Sequence, residues 1–147
     1  MVTNQIMPST MNFRLKNHEN IAYELDMLHG ENGLLIAFTD DVWEVSSVRY
    51  VLWMQRYNFR LAARGINCAM IVPNQPYQLN GFYLSIPRDI TIPLLADPNQ
   101  EVYQTLGMEQ SGYLLLDNKH EIMHRWYLNG NASISLKSIM YHMRYEG

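Results

Sequence analysis

The chain has a single cysteine, Cys68, among its 147 residues. One cysteine cannot form an intramolecular disulfide, so the disulfide framework of small secreted proteins is excluded. Residues 1–11 contain no basic residue and no apolar core of the kind that a signal peptide requires. No apolar run approaches the roughly 20 residues that span a bilayer. We therefore expect a cytoplasmic protein that does not enter the membrane.

The chain also lacks an excess of positive charge. It has 11 Lys and Arg against 14 Asp and Glu, a net charge of -3 and a pI near 5.9. Nucleic-acid binding needs a clustered basic excess that neutralises phosphates, so no nucleic-acid partner is expected. Repeats, low-complexity tracts and charge blocks are absent as well, and 48% of the residues are apolar. We expect a flexible tail at residues 1–11 and a single domain at 12–147.

What is present is an alternation of strand and helix patterns. Residues 13–25 alternate around a polar turn, which predicts an opening hairpin. The apolar run 34–38 predicts a central strand buried on both faces, followed by a helix that Asp40 or Asp41 caps and that runs to about Ala63. The later elements predicted are a strand at 66–72, a short helix at 74–86, an extended piece at 92–95, a helix at 100–106, an antiparallel pair at 112–117 and 121–127, and a helix from about Ser133. These elements predict an α/β fold, a mixed central sheet with helices on both faces.

Several segments resemble those of one protein family. Residues 92–107, IPLLADPNQEVYQTLG, resemble the fPLLsDpdgevakayG segment of peroxiredoxins of the alkyl hydroperoxide reductase and thiol-specific antioxidant group. Residues 114–117 are similar to the FLID strand of that family, and Arg64-Gly65 resembles the start of its arGaevvaVs segment. In order and spacing the resemblance extends over about residues 12–145. It implies a thioredoxin-like fold.

The reactive constellation of that family is missing. Peroxiredoxins carry a Pro-x-x-x-Thr-x-x-Cys element after the first central strand, with the thiolate in the first helical turn, where N–H groups and the helix dipole lower its pKa. Here Glu44 stands at the threonine position, Ser47 stands at the cysteine position, and the proline is absent. Ser111 replaces the arginine that precedes the FLID strand, although Arg49 or Arg88 could approach the site. The resemblance therefore implies a peroxiredoxin-like scaffold without the peroxidatic cysteine.

Other side chains offer alternative chemistry near this turn. Ser47 has no histidine near it in sequence to act as a base, so we expect a cap or filler at the helix start. Asp40, Asp41 and Glu44 could bind a hard cation, but their spacing matches no metal loop, and carboxylates at a helix start are favourable without an ion. Cys68 lies inside a predicted strand and is expected to be an inert core residue, with a redox role as the alternative.

The five histidines do not indicate a metal site. His120 and His124 have an i, i+4 spacing, but on the predicted strand it separates their Cα atoms by about 13 Å. His18, His29 and His142 are scattered among polar neighbours and are expected to be solvated or hydrogen-bonded. We expect neither a metal nor another cofactor.

Aromatic residues are concentrated around the helix that follows the central strand. Trp43, Tyr50, Trp53 and Tyr57 exceed what the core-facing stripe of one helix needs. Exposed aromatics beside the degenerate site suggest a contact surface, and ordinary packing under neighbouring loops is the alternative. Peroxiredoxins often dimerise near this region, so the resemblance implies a homodimer.

Two functions remain open on this basis. The first is a peroxiredoxin-like protein without peroxidase activity that binds a protein partner or a small ligand at the former active site. The alternative is a divergent antioxidant oxidoreductase that uses Cys68 or the thiol of a partner in peroxide or thiol–disulfide chemistry.

Overall fold

The computed structural model describes residues 12–86, 89–129 and 131–143. The predicted tail at residues 1–11 lies outside this part of the chain. The strands are β1 (Arg14–Lys16), β2 (Ala22–Glu24), β3 (Gly33–Phe38), β4 (Ile66–Val72), β5 (Leu94–Ala96), β6 (Gly112–Leu116) and β7 (Ile122–Tyr127). The helices are α1 (Leu25–Leu28), α2 (Val45–Ala62), α3 (Pro76–Ser85), α4 (Glu101–Thr105) and α5 (Leu136–Met143). No helix of the described residues is long and apolar enough to cross a membrane.

The strands form one mixed sheet in the order β2-β1-β5-β4-β3-β6-β7. β3 is parallel to β4, and β4 is parallel to β5. β6 and β7 form an antiparallel hairpin whose first strand also runs antiparallel to β3. The predicted opening hairpin and the predicted antiparallel pair near the end of the chain are both confirmed.

The central strand β3 is buried along its whole length because both faces of the sheet are covered. Leu35 and Ala37 face a core that α2, α3 and α5 close. Leu34, Ile36 and Phe38 face a second core, closed by α1 and α4. The mixed α/β sheet with helices on both faces, predicted from the apolar pattern, is therefore confirmed.

The peroxiredoxin-like segment at 92–107 has a clear local function in the fold. Asp97 follows β5 and is almost fully buried. Its carboxylate accepts hydrogen bonds from the backbone N–H groups of Glu101, Val102 and Tyr103, at 3.1, 2.9 and 3.4 Å. These are the first N–H groups of α4, which have no partner within the helix. The Asp97 carboxylate thus stabilises the N-terminal end of α4, the helix that covers the second core.

Helix α2 starts later than the sequence predicts. Neither Asp40 nor Asp41 is the N-cap, because Asp41 accepts the Glu44 N–H through its carbonyl, at 2.9 Å, and closes a turn. Glu44 is the N-cap residue and makes no side-chain capping bond. Two smaller differences concern α1, a single turn where a strand end was expected, and α5, which begins at Leu136 rather than near Ser133.

His120 lies in the turn between β6 and β7, not on a strand. The turn is held by Asp117, whose carboxylate accepts the N–H groups of Lys119 and Glu121 at 2.8 and 2.9 Å. The His120 backbone has a φ of 67°, in the left-handed region where histidine, asparagine and aspartate are found more often than other residues with a side chain. The side chain therefore points in a direction that a strand position would not give it.

Candidate functional site

The degenerate site lies where β3 ends and α2 begins. Ser47 is the third residue of α2 and is 0% exposed. Its hydroxyl donates to the carbonyl of Asp40 at 3.0 Å, and the Thr39 hydroxyl donates to the same carbonyl at 3.0 Å. The Ser47 oxygen is therefore committed to the backbone of the turn, and no ligand can touch it unless the turn moves.

The buried side-chain amide of Asn74 also forms hydrogen bonds with this turn. Asn74 is 1% exposed and accepts the Val42 N–H through its side-chain oxygen at 2.9 Å. Its side-chain nitrogen donates to the Asp41 carboxylate at 3.2 Å. That carboxylate also accepts the Trp43 N–H at 2.9 Å. The residues that would surround a reactive thiol are thus fixed by hydrogen bonds to one another.

Trp43 forms the outer wall of this region. Its ring is 51% exposed and meets Phe82 of α3 edge to face, with ring centroids 5.4 Å apart. A Cβ at Gly81 would lie 3.9 Å from the same indole. Trp43 therefore covers α3 and remains open to contact on its outer side.

Two of the other residues predicted near the site, Ser111 and Arg49, can be located relative to the start of α2. Ser111 directly precedes Gly112, which pairs with Phe38, so Ser111 lies at the same edge of the sheet as the start of α2. Arg49 is exposed on the outer side of α2, whereas Ser47 faces inward, so this arginine does not replace the missing one. Arg88 lies outside the described residues.

Two tyrosine hydroxyls lie beneath the turn. Tyr103 shares its hydroxyl proton between the carbonyls of Thr39 and Ile71, at 2.5 and 2.8 Å, and so ties the ends of β3 and β4 together. The Tyr50 hydroxyl is buried without a hydrogen-bond partner among the described residues. Burial, with the negative charge of Asp40, raises the pKa of Tyr50 to about 12. Tyr50 therefore stays neutral at physiological pH, and Tyr103 is the phenol that joins the two strand ends.

Cys68 is a core residue of β4, as predicted from its strand position. It is 4% exposed and lies in the same core as Ile66, Met70 and Val72. Burial raises the pKa of its thiol to about 12. Since the thiolate is the reactive form, less than about one molecule in ten thousand carries it at neutral pH.

The acidic residues at 40–44 do not form the group of ligands that the sequence left open as a cation site. Among the residues that the structure describes, a different set of three metal-ligating side chains converges: Asp26, His29 and His120. Sequence spacing could not reveal this set, because the two histidines are brought together by the pairing of β6 with β3. His124 is separate from it and stacks on His142, with ring centroids 3.7 Å apart.

The predicted aromatic contact surface requires correction. Tyr50 is 0% exposed and packs against Tyr113, so it belongs to the core. Trp53 and Tyr57 are half-buried and pack against the same core, which leaves Trp43 as the exposed member of the four.

The outer face of α2 carries other apolar residues. Val45, Leu52 and Phe59 are 70%, 43% and 84% exposed and follow one another at seven-residue spacing, which keeps them on one side of a helix. The core side of the same helix carries Tyr50 and Met54. Arg49 and Arg56 are interleaved on the same exposed side. We call Val45, Arg49, Leu52, Arg56 and Phe59 the outer α2 face.

Comparison with known proteins gives a fold but no sequence relative. No family model and no curated protein matches the sequence. Peroxidoxin BcpB from Mycobacterium tuberculosis is similar in structure, with a TM-score of 0.79 at 12% identity, over 92% of this chain and 93% of that chain. The chain has a peroxiredoxin-like thioredoxin fold. The resemblance read from residues 92–107 and 114–117 is thereby confirmed at the level of the fold.

Two further solved structures are similar to the chain over most of their length. The reduced 2-Cys peroxiredoxin of Plasmodium vivax has a TM-score of 0.76 at 12% identity, over 92% of this chain and 91% of that chain. A putative thiol:disulfide interchange protein DsbE from Chlorobium tepidum has a TM-score of 0.73 at 13% identity, over 91% and 94%. At such identities the likeness concerns the arrangement of the backbone, and the chemistry must be argued from the side chains of this chain.

Proposed function

We propose that this peroxiredoxin-like protein has no peroxidase activity and acts as a protein-binding module. The observation that carries the proposal is the state of Ser47: it stands where the resemblance places the peroxidatic thiol, is 0% exposed, and donates its hydroxyl to the Asp40 carbonyl. A serine without an adjacent base does not attack a hydroperoxide. The surrounding turn is closed by its own hydrogen bonds, so binding takes place on the surface and not in a cavity beside Ser47.

The outer α2 face supports a protein partner. It presents apolar side chains in a row, and such exposed rows mark contact sites more often than scattered single residues do. Arg56 lies 5.6 Å from the centre of the Tyr57 ring, which holds its guanidinium close to the helix surface. The matching partner carries apolar side chains flanked by carboxylates.

A homodimer, which the sequence resemblance implied, is the competing occupant of this face. Two copies that met through their α2 helices would bring Arg49 and Arg56 of each copy together, and like charges in contact are unfavourable. An acidic partner therefore fits the outer α2 face better than a second copy does. For this module we propose a cytoplasmic location, where an unpaired cysteine remains reduced.

Hydroperoxide consumption tests the first part of the proposal. The full chain, mixed with hydrogen peroxide or an alkyl hydroperoxide and dithiothreitol, should consume peroxide at the uncatalysed rate. Catalysed consumption would contradict the proposal. If Cys68→Ser abolished that activity, the divergent antioxidant with Cys68 as its working thiol would be the correct function.

That alternative has one structural feature in its favour. Cys68 is one of the residues that line a surface depression of about 240 Å³, together with Asn67, Thr91 and Pro93. A thiol with a pKa near 12 is nevertheless a poor nucleophile at neutral pH. Equal behaviour of the wild type and Cys68→Ser in peroxide and disulfide-reduction assays is the expected result.

Substitutions on the outer α2 face test the second part. Leu52→Asp and Phe59→Asp should each release a protein that co-purifies with the wild type at low salt. Leu84→Asp is the matched control, since Leu84 is 80% exposed but lies on α3. Retention of the same protein by all three variants would contradict the assignment. An oligomer of the wild type that dissociates on the two α2 substitutions would assign the face to a second copy.

A further inference from the structure

The geometry points to a binding site for one divalent transition-metal ion, of the class of Zn²⁺, formed by Asp26, His29 and His120. These residues lie on α1, directly after α1 and in the turn between β6 and β7. One ligand atom from each residue lies within 4.8 Å of the other two. The site is independent of the proposed protein-binding function.

The distances suit a single ion after small side-chain rotations. His120 Nε2 and Asp26 Oδ1 are 3.5 Å apart. Two ligands bound tetrahedrally at about 2.0–2.1 Å from Zn²⁺ are about 3.3 Å apart. The Asp26 side chain is 70% exposed and is therefore free to adjust its rotamer toward the ion.

His120 supplies the second observation, because its ring nitrogen is buried and makes no hydrogen bond. The side chain is 15% exposed, and Nε2 has no hydrogen-bond partner among the described residues. The nearby Asp26 carboxylate lies 3.5 Å from this nitrogen, which is longer than a good hydrogen bond. A metal ion between the two groups would bind both of them.

His29 has the backbone contact that often accompanies a metal-ligating histidine. Its Nδ1 lies 3.0 Å from the carbonyl oxygen of Gly30. A proton on Nδ1 satisfies this contact and leaves the lone pair of Nε2 for an ion, which is the common arrangement of a backbone carbonyl behind a ligating histidine. The His29 and His120 rings meet edge to face, with centroids 4.7 Å apart.

The ligand types decide the class of ion. Two imidazoles and one carboxylate favour zinc and its first-row neighbours over Ca²⁺ and Mg²⁺, which take oxygen ligands. Three protein ligands leave one position of a tetrahedral ion to water.

The site lies at the end of the sheet opposite the degenerate turn. Leu116, before the β6–β7 turn, pairs with Leu34 near the start of β3, whereas Gly112 pairs with Phe38 at its end. A bound ion would join the β6–β7 turn to the segment that follows α1. It would stabilise the fold by linking two parts that are far apart in sequence.

Zn²⁺ titration of the full chain, with any affinity tag removed, tests the site. Calorimetry or equilibrium dialysis should give one ion per chain. His29→Gln and His120→Asn should each weaken Zn²⁺ binding at least about tenfold, and Asp26→Asn by a smaller factor. Asparagine is chosen at position 120 because it tolerates the left-handed backbone. Saturating Zn²⁺ should raise the unfolding midpoint of the wild type by about 5–10 °C.

His142→Gln is the matched control, because His142 is a half-buried histidine that stacks on His124, away from this site. It should leave Zn²⁺ affinity unchanged. Affinity that falls as much in this control as in His29→Gln would overturn the site, as would unchanged affinity in His29→Gln and His120→Asn. Should a histidine variant fail to fold, Asp26→Asn decides, since its exposed side chain can be exchanged without disturbing the core. Unchanged affinity in Asp26→Asn would then overturn the three-ligand site.

Discussion

Replacing Tyr103 with phenylalanine should destabilise the protein through the loss of one oxygen atom. The Tyr103 hydroxyl lies in the buried end of the sheet and donates to the carbonyls of Thr39 and Ile71, at 2.5 and 2.8 Å. Phenylalanine keeps the ring that packs edge to face on Phe38, with centroids 5.0 Å apart. The substitution therefore isolates the hydrogen bonds from the packing.

The magnitude follows from what the two carbonyls lose. An intramolecular hydrogen bond stabilises a protein by about 0.5–1.5 kcal/mol, and a buried group left without a partner costs about 1–3 kcal/mol. The Ile71 carbonyl retains the Thr39 N–H at 3.4 Å, so the main loss falls on the Thr39 carbonyl. We expect the free energy of unfolding to fall by about 2 kcal/mol.

Urea denaturation measures this difference. With a slope of about 2 kcal/mol per molar urea, the midpoint should fall by about 1 M at an unchanged slope. Tyr127→Phe is the matched control, because its hydroxyl donates to the Gly107 carbonyl at 2.9 Å but the residue is 43% exposed. Water can replace that bond, so the control should change stability by less than about 0.5 kcal/mol. Equal losses in the two variants would refute the reasoning.

Two further predictions concern Cys68 and the glycines. The thiol has a pKa of 9.0 in the unfolded chain and about 12 in the folded protein, so it stabilises the fold fully below pH 9, and that stability is lost as the pH rises above 9. Between pH 8.5 and 10, the free energy of unfolding of the wild type, measured by chemical denaturation, should fall more steeply than that of Cys68→Ala, by up to about 1.4 kcal/mol per pH unit. Parallel pH dependences of the two proteins would contradict the burial of the thiol. Gly112→Ala should destabilise the fold severely, because its Cβ would lie 1.8 Å from the Trp126 carbonyl oxygen. Gly81→Ala should instead stabilise the fold by about 0.5–1 kcal/mol, because Gly81 lies inside α3 and its added Cβ would be 3.9 Å from the Trp43 ring. Thermal unfolding tests both variants, and changes of the same sign would contradict the prediction.

The sequence predicted the central part of the fold because its signals are local. The apolar run at 34–38 is the fully buried strand β3, and Asp97, read as part of a family segment, caps the helix that follows. The start of α2 was misplaced because Asp41 uses its carbonyl and carboxylate to close a turn. Such competition between a cap and a turn cannot be decided from residue types alone.

The candidate sites depended on contacts between distant segments. Ser47 was correctly predicted to lie at the start of a helix. Its complete burial was not predicted, because it depends on the turn that residues 39–47 form. Tyr50 was predicted to belong to a contact surface, but the core side of α2 includes it, and residue types within the helix do not show which aromatic side chains the neighbouring strands cover. The convergence of His29 and His120 was not predicted, because the strand pairing that joins them is not encoded in their neighbours.

The closed turn between residues 39 and 47 determines how the chemistry of this scaffold could be changed. The hydroxyls of Thr39 and Ser47 both donate to the Asp40 carbonyl, and the Asn74 side chain forms hydrogen bonds with Asp41 and Val42. A cysteine introduced at position 47 would inherit the same burial, out of reach of a hydroperoxide. An engineer who wished to install a working thiol would therefore have to remodel the whole turn and its amide support, since a single reversion would change the atom without opening the path to it.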